Sequence, residues 1–415
     1  MEIVIVGNGP AGVAAAEAIR KSGLECSVTV VSKESEPFYS PCPLAEYVEG
    51  SVSRDSLFMR DGDFYRRSRI DLLAGCAAVS LDPSSRRIGV SRSGRIEHLS
   101  YDRLLVASGA ATAFPPVSGL SGAPGVFTLK TLADADAILE NVGGTERAVV
   151  IGSGFIGLEA VQALVRRGLK VTVVEAMGQV LPQMLDADFA ARVQARLETF
   201  EVEVLLDSPV RRVTQGPNGV ASVVAGDREI ACQMVVCATG VRPDLSWLAG
   251  SGVAVDRGVI VNDRMETNLP NVYAAGDVIQ APDWAGRLDL LPNWPNAVAS
   301  GRVAGASMAG ESRKFTGLLP VNAVRIFGQP VSSFGVRGGE QVVAAGEGGA
   351  ARKLFLEGGQ IVGGQFLGDV SGSGVFLEMM RKRVDASFLD GTALSGRWSV
   401  AAMLREPPRV RSLAG

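Results

Sequence analysis

Histidine is all but absent. His98 is the only one in 415 residues, which removes most imidazole-based catalysis and His-rich metal sites. Cysteine is sparse: Cys26, Cys42, Cys76, Cys232 and Cys237 form an odd set with no CxxC pair, so neither a disulfide framework nor a zinc or iron–sulfur site is implied. Cys232 and Cys237 have CxxxxC spacing, but read as one strand they face opposite ways and cannot pair. No apolar run reaches the ~18–20 residues of a membrane-crossing helix. Excess charge is missing too. With 41 basic and 44 acidic residues the net is −3, which gives no electrostatic case for nucleic acid or an anionic membrane. A strand predicted from Glu2 leaves no room for a signal peptide, so the expected location is cytoplasmic.

Glycine, by contrast, is abundant: 50 of 415 residues, about 12% against a usual ~7%, with no collagen-like period. It points to tight turns and close backbone approach to ligands. The length and the 47% hydrophobic share suit two to four folded domains.

The strongest pattern is an internal repeat. Residues 3–7 (IVIVG) are an apolar strand ending in glycine, followed by NGPAG, an Ala-rich helix, Gly23 as its stop and a second strand over 28–31. Residues 148–152 (AVVIG) begin the same series: SGFIG, a helix, Gly168 as its stop and a strand over 171–174. The copies lie 145 residues apart, so they predict two dinucleotide-binding folds and not two halves of one. Gly7, Gly9 and Gly12, and again Gly152, Gly154 and Gly157, meet the steric needs of the turn: a tight bend, backbone approach to pyrophosphate, and helix–strand packing. Pro10 and Ala11 in the first turn and Ile156 in the second complete the predicted phosphate-facing segments. Each fold should end its second strand in a carboxylate for the ribose hydroxyls. Glu175 is that residue in the second copy. Ala176 and Met177 follow with no cation to balance a 2′-phosphate, which predicts NADH over NADPH. The first copy has Ser32 there, and Glu34, two residues on, is the substitute.

Taken together, VGNGPAG, ASG at 107–109, IGSGFIGLE, ATGVRP at 238–243 and TNLPNVYAAGDV at 267–278 make the chain resemble the pyridine nucleotide-disulfide oxidoreductases along essentially its whole length. The nearest branches are the NADH-dependent ferredoxin and rubredoxin reductases, the nitrite reductase flavin domains, and the single-cysteine NADH oxidases and coenzyme A-disulfide reductases. The resemblance implies an α/β fold: two Rossmann-like domains, for FAD and for NAD(H), plus a C-terminal α+β interface domain. Residues 1–115 and 245–313 would form a discontinuous FAD domain, 116–244 the NAD(H) domain, and 314–415 the interface or dimerisation domain, with 406–415 loosely held. By the same resemblance Asp277 holds the flavin ribityl chain and Ala78 offers its backbone to adenine. Lys130 stands near the flavin, and Trp294 opens a helix aimed at the flavin pyrimidine. Ala107, Gly109 and Gly240 are close-approach positions. Phe155 covers the flavin until nicotinamide displaces it, and Glu159 orients the carboxamide.

In the single-cysteine branch a cysteine in the position of Cys42 cycles through sulfenate or mixed disulfide, and Tyr47, Glu49 and Gly50 fit its downstream spacing. Pro41 and Pro43 depart from that pattern, and Glu46 stands where ferredoxin reductases place a lysine. The resulting expectation is an FAD-dependent NADH oxidoreductase without a metal site. It exchanges electrons with an iron–sulfur or other redox protein, as a reductase or as the NADH-linked subunit of a complex such as a 2-oxoacid oxidoreductase. A homodimer and a hetero-oligomer are both compatible. A self-sufficient NADH oxidase, peroxidase or coenzyme A-disulfide reductase using Cys42 is the alternative, and a non-catalytic flavin-bearing interaction protein is the third reading.

Overall fold

The computed structural model describes residues 1–217 and 219–395. In chain order, the elements that carry the argument are β1 (Glu2–Val6), α1 (Pro10–Lys21), β2 (Ser27–Val31), α2 (Leu44–Glu49), β3 (Arg103–Val106), β4 (Arg147–Ile151), α3 (Phe155–Arg166), β5 (Lys170–Val174), β6 (Met234–Cys237), β7 (Val272–Ala274) and α4 (Trp294–Met308). Two compact units emerge. The first comprises 1–43, 52–113 and 241–319, and the second 44–51, 114–240 and 320 onward.

The first unit is built on a parallel sheet of order β7-β3-β1-β2 with Asp71–Leu73 at its edge. Its strands are short apolar runs buried on both faces, as parallel strands covered by helices must be. A three-stranded antiparallel sheet (Ala77–Asp82, Arg87–Arg92, Arg95–Ser100) belongs to the same unit and carries His98 on its exposed edge strand.

Helices α1 and α4 pack at backbone distance. A Cβ built on Gly301 would lie 2.2 Å from the Ala11 carbonyl oxygen, and one on Gly305 2.4 Å from that of Ala15. Gly301→Ala gains up to ~1 kcal/mol of helix propensity. The methyl meets backbone that cannot yield, and overpacking costs roughly 1–3 kcal/mol. The variant is expected to unfold at lower urea than wild type; equal midpoints would show that the two helices separate freely.

The second unit repeats the scheme. Its parallel sheet has the order β5-β4-β6, flanked by Glu203–Leu205 beyond β5 and Val126–Phe127 beyond β6. From residue 320 the chain forms a five-stranded antiparallel sheet (Val321–Ile326, Gln329–Gly335, Gln360–Leu367, Ala351–Glu357, Glu340–Ala345) and the helix Ser373–Arg381. Buried Lys353 ties this sheet to the helix Ala187–Glu198, with Nζ 2.6 Å from Asp186 and 2.9 Å from Asp188. Helix α2 also belongs here, although the residues on either side of it lie in the first unit. Gln162 donates to Glu49 (2.9 Å) and Arg167 Nε to the Val48 carbonyl (2.6 Å).

Cys232 and Cys237 do not share a strand: pairing stops at Ala231 and resumes at Met234. At the break, the Gln233 side chain accepts from the Glu146 and Arg147 amides (3.2 and 3.0 Å). Both thiols are free and buried, and burial pushes Cys232 up to about 12. The expectation for 406–415 lies outside the described residues.

Candidate functional site

The two glycine turns are built alike, bond for bond. The amide of Gly7 donates to Val31 O and that of Gly152 to Val174 O, both at 2.8 Å. Ala107 donates to Val6 O and Ala238 to Ile151 O, again both at 2.8 Å. The first glycine of each turn has positive φ (+122° and +98°), and a Cβ there would collide with the carbonyl of Ala107 or Ala238 at 2.0 and 2.6 Å. The third glycine is blocked by the carbonyl of the first, at 1.9 Å for Gly12 and 2.1 Å for Gly157. The second glycine is different: around Gly9 and Gly154 a Cβ would meet nothing within 4 Å.

Gly9 and Gly154 are also the N-caps of α1 and α3. Neither helix has a side-chain cap or an acid in its first turn. The helices Gly62–Arg67, Leu132–Val142, Ala187–Glu198 and α4 are all capped by Asp, Thr or Asn side chains. Free amides, the positive end of the helix dipole and open room at the second glycine together fit a pyrophosphate.

In the first unit Ser32 follows β2 and donates to the Glu34 carbonyl (2.8 Å), which curls the chain so that the Glu34 carboxylate accepts from Tyr39 (2.5 Å). Gly276 (φ +85°) brings the end of β7 against α1, where its Cβ would lie 2.8 Å from that of Ala11. Half-buried Asp277 is thereby held beside the start of α1. Ser300 fixes the same corner by accepting from the Gly276 amide (3.0 Å) and donating to the Asn296 carbonyl (2.7 Å). Trp294 opens α4 and stacks on Phe38, with centroids 5.9 Å apart and planes at 18°. Ala107 is buried, Gly109 has φ +72° with open space, and Ala78 pairs with Val90 next to a bulge. Cys42 is exposed, and its amide donates to Ser40 (3.3 Å).

In the second unit Glu175 occupies the position of Ser32: its amide donates to Leu205 O (2.8 Å) as that of Ser32 does to Leu73 O (2.9 Å). Its carboxylate is buried and accepts three bonds, from the Ser153 amide (2.9 Å), the Ser153 hydroxyl (2.7 Å) and the Met177 amide (3.0 Å). Phe155 and half-buried Ile156 begin α3, with Phe155 37% exposed. Glu159 lies one turn further in, raised from 4.5 to about 8 by burial and, secondarily, by the charge of Glu46 on α2. Gly240 follows β6 with φ +100° and nothing near its Cβ position. Lys130 belongs to this unit, where its amide donates to Asp134 (2.9 Å). The repeat brings the glycines and Glu175 to light. It does not reveal Ser153 as the clamp on Glu175, or Tyr39 and Ser300, whose partners are set by tertiary placement.

Among the described residues no group of three or more His, Cys, Asp or Glu could hold a metal ion, and no helix is long and apolar enough to cross a membrane.

Comparison with known proteins follows the same lines. Residues 1–301 match the family model described as pyridine nucleotide-disulphide oxidoreductase. The chain is 33% identical to an NADH oxidase of Methanocaldococcus jannaschii, covering 93% of this chain and 90% of the relative. It is 29% identical to the NADH-dependent phenylglyoxylate dehydrogenase subunit epsilon of Aromatoleum evansii, covering 92% of each. Among solved structures, an NAD-dependent persulfide reductase from A. fulgidus matches with a TM-score of 0.87 and 29% identity, over 92% of this chain and 77% of that one.

Proposed function

Because the chain belongs to the pyridine nucleotide-disulphide oxidoreductase family, whose members are FAD- and NAD(H)-dependent oxidoreductases, we propose that its first unit holds FAD, its second holds NAD(H), and electrons leave to a protein redox partner. Each parallel sheet is read as a Rossmann-type dinucleotide fold. The observation that carries this reading is the pair of superposable turns whose second glycine alone has free space above it. FAD, when bound, supplies a two-electron acceptor for hydride and a relay to a further acceptor.

The rest of the chemistry is binding and orientation by this chain. Gly7, Gly9, Pro10, Ala11 and Gly12 present amides to one pyrophosphate, and Gly152, Gly154, Ile156 and Gly157 to the other. Glu34, oriented by Tyr39, takes the adenosine ribose of FAD, and Ala78 lies along its adenine. Asp277 accepts from the ribityl hydroxyls, with Ala107 and Gly109 keeping the strand ends bare. The first turn of α4 beside Trp294 favours negative charge on the flavin pyrimidine. Glu175 takes the ribose diol of NADH, Gly240 lets the dinucleotide pass, Phe155 yields its place to nicotinamide, and Glu159 meets the carboxamide.

Similarity over 92% of both chains to the epsilon subunit of an NADH-dependent phenylglyoxylate dehydrogenase supports a role as the NADH-linked flavoprotein of a complex acting on a 2-oxoacid. Similarity to an NADH oxidase, together with an exposed Cys42, supports the second reading, in which Cys42 is a redox centre. Anaerobic titration with NADH separates them. About two electron equivalents per FAD are expected for flavin alone. Uptake of about four, falling to two in Cys42→Ser, would move the assignment to the cysteine-dependent reading. A protein whose bound FAD NADH cannot reduce would overturn both.

A further inference from the structure

Helix α2 packs on α3. Glu49 meets Gln162 (2.9 Å), and three residues earlier on each helix stand Glu46 and Glu159. One helical turn separates Glu46 from Glu49 and Glu159 from Gln162, and the charge of Glu46 acts on Glu159. Glu46 Oε2 is fully buried and has no hydrogen-bond partner. Among the described residues no ion pair joins a cation to Glu46 or Glu159. Arg166 reaches Glu49 (3.8 Å), Arg167 the Val48 carbonyl, and Arg325, on the strand packed against α3, the Gly328 carbonyl. Arg147 and Lys170 begin β4 and β5, at the end of the sheet opposite the glycine turn. Tyr47 is bonded to Asp136 (2.8 Å), the Asp134 carboxylate accepts from the Lys130 and Thr131 amides (2.9 Å each), and the Cys237 thiol is pushed up by burial. Two half-buried carboxylates with no paired cation are costly as a dianion, and one proton between them supplies the missing donor.

We propose that Glu46 and Glu159 hold a single proton between them and that its release sets how strongly the nicotinamide site prefers NAD⁺ to NADH. The second half rests on the assignment of nicotinamide to α3 made above. The nicotinamide ring is cationic in NAD⁺ and neutral in NADH, so loss of the proton adds a negative charge that favours only the oxidised form. Burial, and then the charge of Glu46, raises the Glu159 carboxyl from 4.5 to about 8. The folded chain therefore binds this proton more tightly than the unfolded chain does. Stability falls as pH rises from about 4.5 to about 8 and levels off beyond, so Glu159→Gln should melt higher than wild type at alkaline pH.

The test uses the oxidised FAD-loaded protein from about pH 6.5 to about pH 9.5, bracketing the raised carboxyl. Infrared spectra without nucleotide should show a protonated-carboxyl band at neutral pH that titrates near the raised value. Glu159→Gln should lack it, and in Glu46→Gln its midpoint should move down. Equilibrium binding of NAD⁺ should tighten with pH by at least about fivefold in wild type, the low end of coupling between sites. In Glu159→Gln it should be flat. No band at neutral pH, or an unchanged midpoint in Glu46→Gln, overturns the shared proton. A pH-independent NAD⁺ affinity in a wild type that shows the band overturns the coupling. Failure to bind NAD⁺ at any pH overturns the nicotinamide assignment itself, on which the infrared titration does not depend.

Discussion

The Gly9→Ala protein is expected to fold normally and to purify without colour. Gly9 sits at φ −88°, a conformation any residue adopts, and an added Cβ meets no protein atom within 4 Å. Its apo form should therefore match wild-type apo stability within about 0.5 kcal/mol. On the proposed assignment the methyl occupies the space that the pyrophosphate needs at the bare start of α1, so FAD affinity should fall by at least about 100-fold. Gly12→Ala makes the contrast. Its Cβ would lie 1.9 Å from the Gly7 carbonyl oxygen, which forces α1 off the sheet, and the first unit should not fold. Gly154→Ala is the counterpart in the second unit: φ −64°, open space, a yellow protein that NADH bleaches only at greatly raised concentration. Absorbance of bound flavin and thermal unfolding of the apoproteins read all three. A Gly9→Ala protein as yellow as wild type would remove the assignment of FAD to this turn.

What the sequence makes visible here is local. A β-branched run ending in glycine, two more glycines at fixed offsets, an Ala-rich helix and a stop glycine all lie within about 25 residues, and each glycine answers a steric demand of its own turn. Glu175 is readable for the same reason, since its position follows from the end of β5. What escapes is set by distant packing. Nothing near Gly301 and Gly305 announces that their missing side chains admit the backbone of α1, 290 residues earlier for Gly301 and Ala11. Helix α2 looks like part of the first domain until Gln162 and Arg167 are seen to hold it to the second unit. Glu46 read alone is a departure from a family lysine; only beside Glu159 does it become half of a carboxyl pair. The strand reading of 232–237 fails because alternation in a short apolar run does not show where a side chain such as Gln233 interrupts the ladder.

Glu175→Ala is expected to lower kcat/KM for NADH by about 100-fold while kcat at saturation changes much less, because the contact proposed for Glu175 is with the ribose and not the reacting ring. The carboxylate accepts from the Ser153 amide and hydroxyl through one oxygen and from the Met177 amide through the other. Removing it leaves these donors unpaired in a buried turn, at about 1–3 kcal/mol, besides the lost bonds to the ribose. Glutamine is no safe replacement, since its amide nitrogen must face an N–H donor on one side or the other. Discrimination should change as well. In wild type the Glu175 carboxylate at the end of β5 opposes a 2′-phosphate, and the exposed residues that follow it, Ala176 and Met177, are uncharged. The alanine variant loses the repulsion without gaining a cation, so the NADH-to-NADPH ratio of kcat/KM should collapse by about two orders of magnitude, chiefly through NADH. Steady-state rates with both nucleotides and a dye acceptor measure it. The ribose assignment fails if the ratio is the same in the variant, or if wild type already uses both nucleotides equally well.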